Sequence, residues 1–332
     1  GQTSNSAYAG GSLAGIWERD DYWAQHPERF PQGLGPVVHA AREAGLALCL
    51  WYNPSTDDSF AHWEDDARQL VRLYRQFGVR VFKIDGTDVP DKRADRNLRA
   101  MFDRVIAETN GEVSFNIDTT AKRRFGYHYV PRYGNLFLEN RYTDWSNYYP
   151  HWTLRNLWSL ARYLPAQRFQ IEFLNVWRNA DRYPADDPLA PREVPFEYAF
   201  AVTMMAQPLA WFESQHLPEE AYGAAEAIQP YRQHQRRIHA GRIWPIGEEP
   251  SGLSWTGFQS EREGGGYLAI YREHTERASA RLRMRGAAGR RVVCEPIIGQ
   301  GAPLDVEAGA DGVVTFALPT PWSYALYAYT IA

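Results

Sequence analysis

Acidic residues end three short apolar segments of this 332-residue sequence. Asp85 ends VFKID, Asp144 ends LFLENRYTD, and Asp20 and Asp21 end IWERDD. Two carboxyl groups that converge on one pocket can cleave a glycosidic bond, because one attacks the anomeric carbon or activates water while the other protonates the leaving oxygen. Each Asp taken alone has a second interpretation, since Asp is also a common N-cap of the helix that follows a strand.

The elements that would carry these residues alternate along the first 240 residues. In EDDARQLVRLYRQFG, apolar residues recur with helical spacing, and Gly78 is a typical C-cap for that helix. Predicted strands start 23 to 40 residues apart, close to the roughly 30 residues of one βα unit. This pattern predicts an α/β fold of the (β/α)8 (TIM) barrel type, with continuous apolar strands in a parallel sheet that is buried on both faces. The predicted strands are 14–18, 46–52, 79–85, 112–118, 135–140, 168–174 and 208–213.

The number of predicted strands is seven, one fewer than a closed (β/α)8 barrel requires. Residues 1–13 are polar and rich in Gly and Ser, so we expect a barrel that is incomplete at its N-terminus or irregular. Active sites of such barrels lie at the carboxyl ends of the strands. The strands before Asp85 and Asp144 are next-but-one neighbours in this scheme, which would let both carboxyl groups reach one pocket.

The last 90 residues follow a different pattern. Short strand candidates succeed one another without helices, and turn signals such as GGG, GAAG and PTP separate them. This succession predicts a small antiparallel β-sandwich or meander. We therefore expect a catalytic barrel over residues 1–242 and a C-terminal β-sandwich domain over residues 243–332.

Composition excludes several classes of protein. The net charge of −4 leaves no basic stripe for the phosphates of a nucleic acid. No apolar run reaches the ~18–20 residues that span a bilayer, so we expect no membrane partner. The 14% of aromatic residues fits both sugar stacking and a large core. A compartment, whether cytoplasmic, periplasmic or secreted, and a homo-oligomeric state are left open.

Metal and cofactor motifs are missing from the sequence. The nine His residues lack H-x-x-x-H and H-E-x-x-H spacing, which argues against zinc, and the GGG segment precedes a strand instead of the helix of a phosphate loop. Two Cys cannot build a disulfide framework. We interpret Cys49 and Cys294, both in apolar segments, as buried thiols, and we expect no metal or organic cofactor.

Several motifs resemble those of glycoside hydrolase families 36 and 27. The run PERFPQGLGPVVHAAREAGLALCLWYNP, preceded by DDYW, resembles the family segment in which "DDGW…FP.GL" leads to a "GLWxxP" strand. FGVRVFKIDG resembles the family strand whose Lys binds sugar and whose Asp is the nucleophile, which implies these roles for Lys83 and Asp85. RYTDW resembles the element that carries the acid/base, which implies that role for Asp144.

The sequence also departs from these families. The family loop CSxGGGRxD is replaced by IDTTAKRRFGYHY, so the sugar-binding arginine would be Arg123 or Arg124. Asn53 stands where the family has Glu, and the large N-terminal β-domain of family 36 has no counterpart in the sequence.

The resemblance implies a retaining, exo-acting α-glycosidase, most simply an α-galactosidase that acts on an oligosaccharide or glycoside. We expect Lys83, on the same strand face as Asp85, to lower the pKa of that carboxyl, and Asp144 to lie in a drier environment. A transglycosylase of the same family and a non-catalytic carbohydrate-binding barrel remain as alternatives. The other expected substrate-binding residues are Asp20, Asp21, Trp51, Glu139 and Glu172.

Overall fold

The computed structural model describes residues 14–18, 23–85, 87–119, 123–127, 130–138, 148–173, 176–177, 179–210 and 217–332. The chain divides into two compact units, Gly1–Leu138 and Glu139–Ala332. Among the described residues, no helix is both long and apolar enough to cross a membrane.

The first unit alternates strands and helices as the sequence predicts. Its four strands pair in chain order and all pairings are parallel. The strands are β1 (Cys49–Tyr52), β2 (Val81–Ile84), β3 (Ser114–Asp118) and β4 (Gly134–Leu138). The helices are α1 (Gly35–Glu43), α2 (Trp63–Phe77) and α3 (Lys92–Glu108).

Helix ends in this unit follow from local chemistry. Helix α2 ends at Gly78, which has a φ of 69° and donates its N–H to the Tyr74 carbonyl, so the predicted C-cap is confirmed. Asp91 begins α3, and its carboxylate accepts the Ala94 N–H at 2.8 Å. This bond satisfies one of the N–H groups that a helix leaves unpaired at its first turn.

The two faces of the β1–β4 sheet differ in chemistry. Register places Tyr52, Ile84, Ile117 and Leu136 on one face, and all four are buried. Helix α3 packs on this apolar face, with the Phe102 ring 4.6 Å from the Phe115 ring.

The opposite face carries Trp51, Lys83 and Asn116 side by side in the same register. Lys83, Asn116 and Asp118 are buried on this face, so β2 and β3 are buried on both faces as predicted. They are not continuously apolar, because these three polar side chains lie among the buried residues.

Two further expectations require correction. Residues 14–18, predicted as the first strand, contain a 3-10 turn at Ile16–Glu18, which Gly15 introduces with a φ of 67° and in which the Glu18 N–H bonds to the Gly15 carbonyl. Cys49 is exposed, not buried, whereas Cys294 is buried as expected. Cys49 begins β1, which pairs only with β2 among the described residues, so one edge of that strand has no neighbouring strand to cover it.

The second unit contains the remaining two parallel strands, β5 (Phe169–Phe173) and β6 (Gln207–Ala210), which pair with each other. Six of the seven predicted strands are thus confirmed, with shorter bounds. Six strands of this type are described, so the described residues do not form a complete eight-stranded barrel. The helices of this unit are α4 (Pro150–Leu160), α5 (Phe196–Ala201), α6 (Glu219–Gly223) and α7 (Ala225–His239).

The C-terminal part of the second unit is antiparallel. One sheet has the order β12-β11-β14-β9-β8-β7, and a second consists of β10 and β13. Residues of both sheets share one apolar core, including Leu268, Leu282 and Phe316. The predicted domain boundary at 242/243 falls at the start of β7 and stays a prediction. The strands are β7 (Arg242–Gly247), β8 (Trp255–Arg262), β9 (Gly265–Arg272), β10 (Ser279–Arg283), β11 (Arg291–Gly299), β12 (Leu304–Glu307), β13 (Val313–Ala317) and β14 (Ser323–Ile331).

Candidate active site

A lysine and two aspartates meet at the carboxyl ends of β2 and β3. The Lys83 Nζ lies 3.1 Å from Oδ1 of Asp85 and 3.6 Å from Oδ2 of Asp118. The Lys83 and Asp118 side chains are each 3% exposed, whereas the Asp85 side chain is 22% exposed. The cluster therefore has one carboxylate that a small molecule can reach and a second that is buried.

Aromatic rings enclose the lysine on the same face. The Nζ lies 3.9 Å from the centroid of the Trp51 ring and 4.2 Å from that of Phe137. An ammonium over a ring face is stabilised by the ring quadrupole, so these rings help to hold a charge that the sheet has removed from water. Trp51 remains 40% exposed, and this part of the indole offers apolar surface beside Asp85.

The backbone of Asp85 is fixed although β2 ends at Ile84. Its N–H donates to the carbonyl of Tyr52 at 3.3 Å. Its carbonyl accepts a hydrogen bond from Asn53 Nδ2 at 3.2 Å. Both polar groups of the Asp85 backbone thus bind residues at the carboxyl end of β1.

Asp118 is the site residue that the sequence analysis did not single out. The sequence does contain a pattern that could have identified Asp118, because the two strands end alike: β2 leads into Lys-Ile-Asp and β3 ends in Asn-Ile-Asp. The register pairs Ile84 with Ile117, so the aspartates that follow in each strand lie side by side. Only the register reveals that these two Asp share one lysine.

Among the described residues, one ammonium lies beside two carboxyl groups. A carboxylate at a partly accessible opening can stabilise a group that develops positive charge, as the anomeric carbon does in an oxocarbenium-like transition state. Within the described part of the chain, no three His, Cys, Asp or Glu side chains are grouped as a metal site.

Some of the other predicted site residues are described by the structure, and the rest lie outside the described residues. The Arg123 guanidinium pairs with Asp88 through two bonds of 2.9 and 2.8 Å, and Arg124 donates to the Tyr127 hydroxyl at 3.1 Å. Glu172 is buried in β5 of the second unit. The structure therefore joins Trp51, Lys83 and Asp85, while sugar-binding roles for Arg123, Arg124 and Glu172 stay predictions. Asp20, Asp21, Glu139 and Asp144 lie outside the described residues, so the Asp85–Asp144 separation stays a prediction.

Comparisons with known proteins indicate a similar fold but no close relative. No model of a known protein family matches the sequence, and no curated protein matches it.

Several glycoside hydrolases are among the solved structures with a similar fold. One is a family 36 α-galactosidase of Geobacillus stearothermophilus in complex with raffinose, with a TM-score of 0.65 and 13% identity over 93% of this chain and 48% of that chain. The galactosidase domain of an α-galactosidase–sucrose kinase matches with a TM-score of 0.66 and 13% identity over 90% of this chain and 46% of that one. An α-amylase of Geobacillus thermoleovorans complexed with acarbose matches with a TM-score of 0.57 and 9% identity, over 89% of this chain and 80% of that one.

This chain spans about half the length of the two galactosidase structures. The similarity is one of fold, and at that level it confirms the resemblance to family 36 that the sequence motifs indicate.

Proposed function

We propose that this chain is a retaining, exo-acting α-glycosidase, most simply an α-galactosidase. The observation that carries the proposal is the Lys83–Asp85 pair, 3.1 Å apart at the carboxyl end of a parallel strand, where enzymes of this fold type build their active sites. The partly exposed Asp85 carboxylate and the half-exposed Trp51 beside it support this assignment.

The reaction would proceed by double displacement. The Asp85 carboxylate attacks the anomeric carbon, the bond from that carbon to the leaving oxygen breaks, and Asp144 supplies the proton that the leaving oxygen needs. Asp144 then takes a proton from water, whose oxygen attacks the anomeric carbon and releases Asp85. The assignment of Asp144 rests on the resemblance of RYTDW to the acid/base element of the family.

Lys83 and Trp51 would prepare the site for this chemistry. The ammonium stabilises negative charge on Asp85, which keeps a nucleophilic carboxylate available. The exposed part of the Trp51 indole would pack against the apolar face of a sugar ring. Asp118, which shares the ammonium, limits how completely Lys83 neutralises Asp85.

A panel of nitrophenyl glycosides, with both anomers of several sugars, tests the proposal. We expect hydrolysis of an α-glycoside, the α-galactoside first, and NMR should show that the first-formed sugar keeps the α-configuration. The Asp85→Ala variant should be inactive on every member. Hydrolysis of β-anomers alone, or a first product of inverted configuration, would contradict the proposal.

A non-catalytic carbohydrate-binding barrel is the second candidate, because Asp85 forms an ion pair with the buried Lys83. Titration calorimetry with galactose and raffinose distinguishes the two. Binding without turnover of any glycoside favours the binding protein. A transglycosylase would use the same residues, and transfer of the glycosyl group to an added sugar in preference to water would identify it.

A further inference from the structure

A fully buried carboxylate lies behind the candidate site. Asp66 of α2 accepts hydrogen bonds from the Tyr52 hydroxyl at 2.7 Å, from Trp17 Nε1 at 3.1 Å and from the Ser55 N–H at 3.1 Å. These donors come from two segments, the 3-10 turn of Trp17 and the end of β1 with the loop that follows it, and Asp66 has no exposed surface. A buried charge is tolerated only where such donors replace water, so the carboxylate acts as the hub that joins the segments.

Tyr52 connects this hub to the site. Its ring is buried and stacks on the Trp23 ring, with centroids 4.1 Å apart and planes 10° apart. The backbone carbonyl of Tyr52 accepts the Asp85 N–H, and the side-chain amide of the next residue, Asn53, donates to the Asp85 carbonyl. A continuous chain of contacts therefore runs from Asp66 through β1 to both backbone groups of Asp85.

We propose that Asp66 is a positioning residue that fixes the peptide of Asp85 through Tyr52 and Asn53 and thereby aims the Asp85 carboxylate. This proposal rests on the assignment of Asp85 as the nucleophile. Asp85 depends on such support because it lies one residue beyond the end of β2. Misplacement of a reacting group by 1 Å can reduce a rate by about 100-fold.

The ionised form of Asp66 suits this role. A carboxylate only accepts hydrogen bonds, and all three of its partners present donors. Burial raises the pKa of Asp66 to about 6, and the neighbouring Asp65 acts in the same direction. An Asn in this place would keep the volume of the side chain. Its NH2 group, however, would face at least one of the three donor groups and could not accept a hydrogen bond from it.

Kinetics of the Asp66→Asn variant provide the first test. We expect kcat to fall about 10- to 100-fold while KM stays near its original value, because the sugar-binding groups are unchanged. Leu70→Ala is the matched control, since Leu70 is fully buried in the same helix and its truncation lowers stability while it removes none of the three donors to Asp66. Its kcat should be unchanged at a temperature where the variant remains folded.

A second test uses the Asp85→Ala variant to distinguish loss of Asp85 positioning from a general disturbance of the active-site structure. Azide can occupy the space of the missing carboxylate, form a C–N bond at the anomeric carbon and expel the leaving group of a dinitrophenyl glycoside. Adding Asp66→Asn should leave this azide-dependent rate unchanged, because the group that Asp66 positions is gone. An equal loss in both backgrounds would overturn the proposal.

A measurement without substrate keeps the proposal testable if no glycoside is hydrolysed. Carbon-13 label at Asp Cγ gives an Asp85 resonance that can be identified by its loss in Asp85→Asn. Asp66→Asn should shift this resonance and its titration, and Leu70→Ala should not. Inactivity of the wild type toward all glycosides would reject the proposed function alone, whereas an unchanged Asp85 resonance would reject the positioning role.

Discussion

At the scale of single residues, the site is defined by the way one ammonium is shared. Lys83 has a buried partner, Asp118, and a partly exposed one, Asp85. A buried lysine is tolerated because two carboxylates and two rings surround it. The arrangement separates two tasks, since Asp118 compensates the charge in the interior while Asp85 faces the opening.

Replacing the proposed catalytic residues one at a time should separate their roles. Asp85→Ala should abolish turnover of all substrates, because no covalent intermediate forms without the nucleophile. Asp144→Ala should slow a natural oligosaccharide about 10²–10⁴-fold but still produce a burst with a dinitrophenyl glycoside, whose leaving group needs little proton assistance. Stopped-flow absorbance measures the burst.

Azide supplies the control for Asp144. It needs no base, so it should restore turnover of Asp144→Ala and yield a glycosyl azide of retained configuration. If azide has no effect and all substrates are slowed equally, Asp144 is not the acid/base, and Glu139 and Glu172 become the next candidates.

Stability and activity should separate at Lys83. Lys83→Met removes the ammonium that pairs with the buried Asp118 carboxylate, and we expect a loss of about 3–5 kcal/mol in the free energy of unfolding. The double variant Lys83→Met/Asp118→Asn removes both charges and should regain most of that stability in urea unfolding while remaining impaired in catalysis. Equal stability of the single and double variants would show that Asp118 is not held by Lys83.

At the scale of elements, the sheet depends on one close approach between strands. Gly134 begins β4 with a φ of 151°, and a Cβ there would lie 2.0 Å from the Phe115 carbonyl oxygen of β3. Any side chain would thus push β4 away from β3. Phe137, which contacts Lys83, lies three residues further along β4, so the displacement would reach the site.

A pair of glycine variants tests this requirement. Gly111→Ala, at a φ of 74° with open space around its Cβ, should cost about 1–2 kcal/mol because of the left-handed backbone alone. Gly134→Ala should cost clearly more, since backbone strain and a backbone clash add. Thermal unfolding compares the two variants, and equal losses would argue against the clash.

At the scale of the whole molecule, the two units should respond oppositely to acid. The pKa of Asp66 in the first unit is raised to about 6 by burial, so its contribution to stability is full below its unfolded pKa of about 3.9 and is lost as pH rises through 6. Burial lowers the pKa of His151 in the second unit to about 4, so its contribution is present above the unfolded value of about 6.5 and is lost as pH falls toward 4.

Hydrogen exchange resolved by region can measure this difference between pH 7 and pH 4.5. Relative to Asp66→Asn, the wild-type first unit should gain protection on acidification, by about 2 kcal/mol over this pH interval. Relative to His151→Gln, the wild-type second unit should lose a similar amount. Identical pH dependence of wild type and variant in either unit would show that the buried group does not change its protonation on folding.

The sequence alone determined the order of the elements and part of the site. Periodicity and spacing gave six strands with their helices, because βα units repeat a local pattern of apolar residues and caps. The Lys-x-Asp spacing was sufficient to place Lys83 and Asp85 on one strand face, since side chains two residues apart in a strand point the same way.

Contacts between distant residues were decided only by the tertiary structure. Asp118 joined the site through strand register, Arg123 pairs with Asp88, and Asp66 of α2 binds both the turn of Trp17 and the end of β1. Residues 14–18 resemble a strand in their apolar content, yet they form a turn whose Trp17 bonds to Asp66. Hydrogen bonds and ion pairs of this kind depend on positions in space, and no local pattern of residue types encodes them.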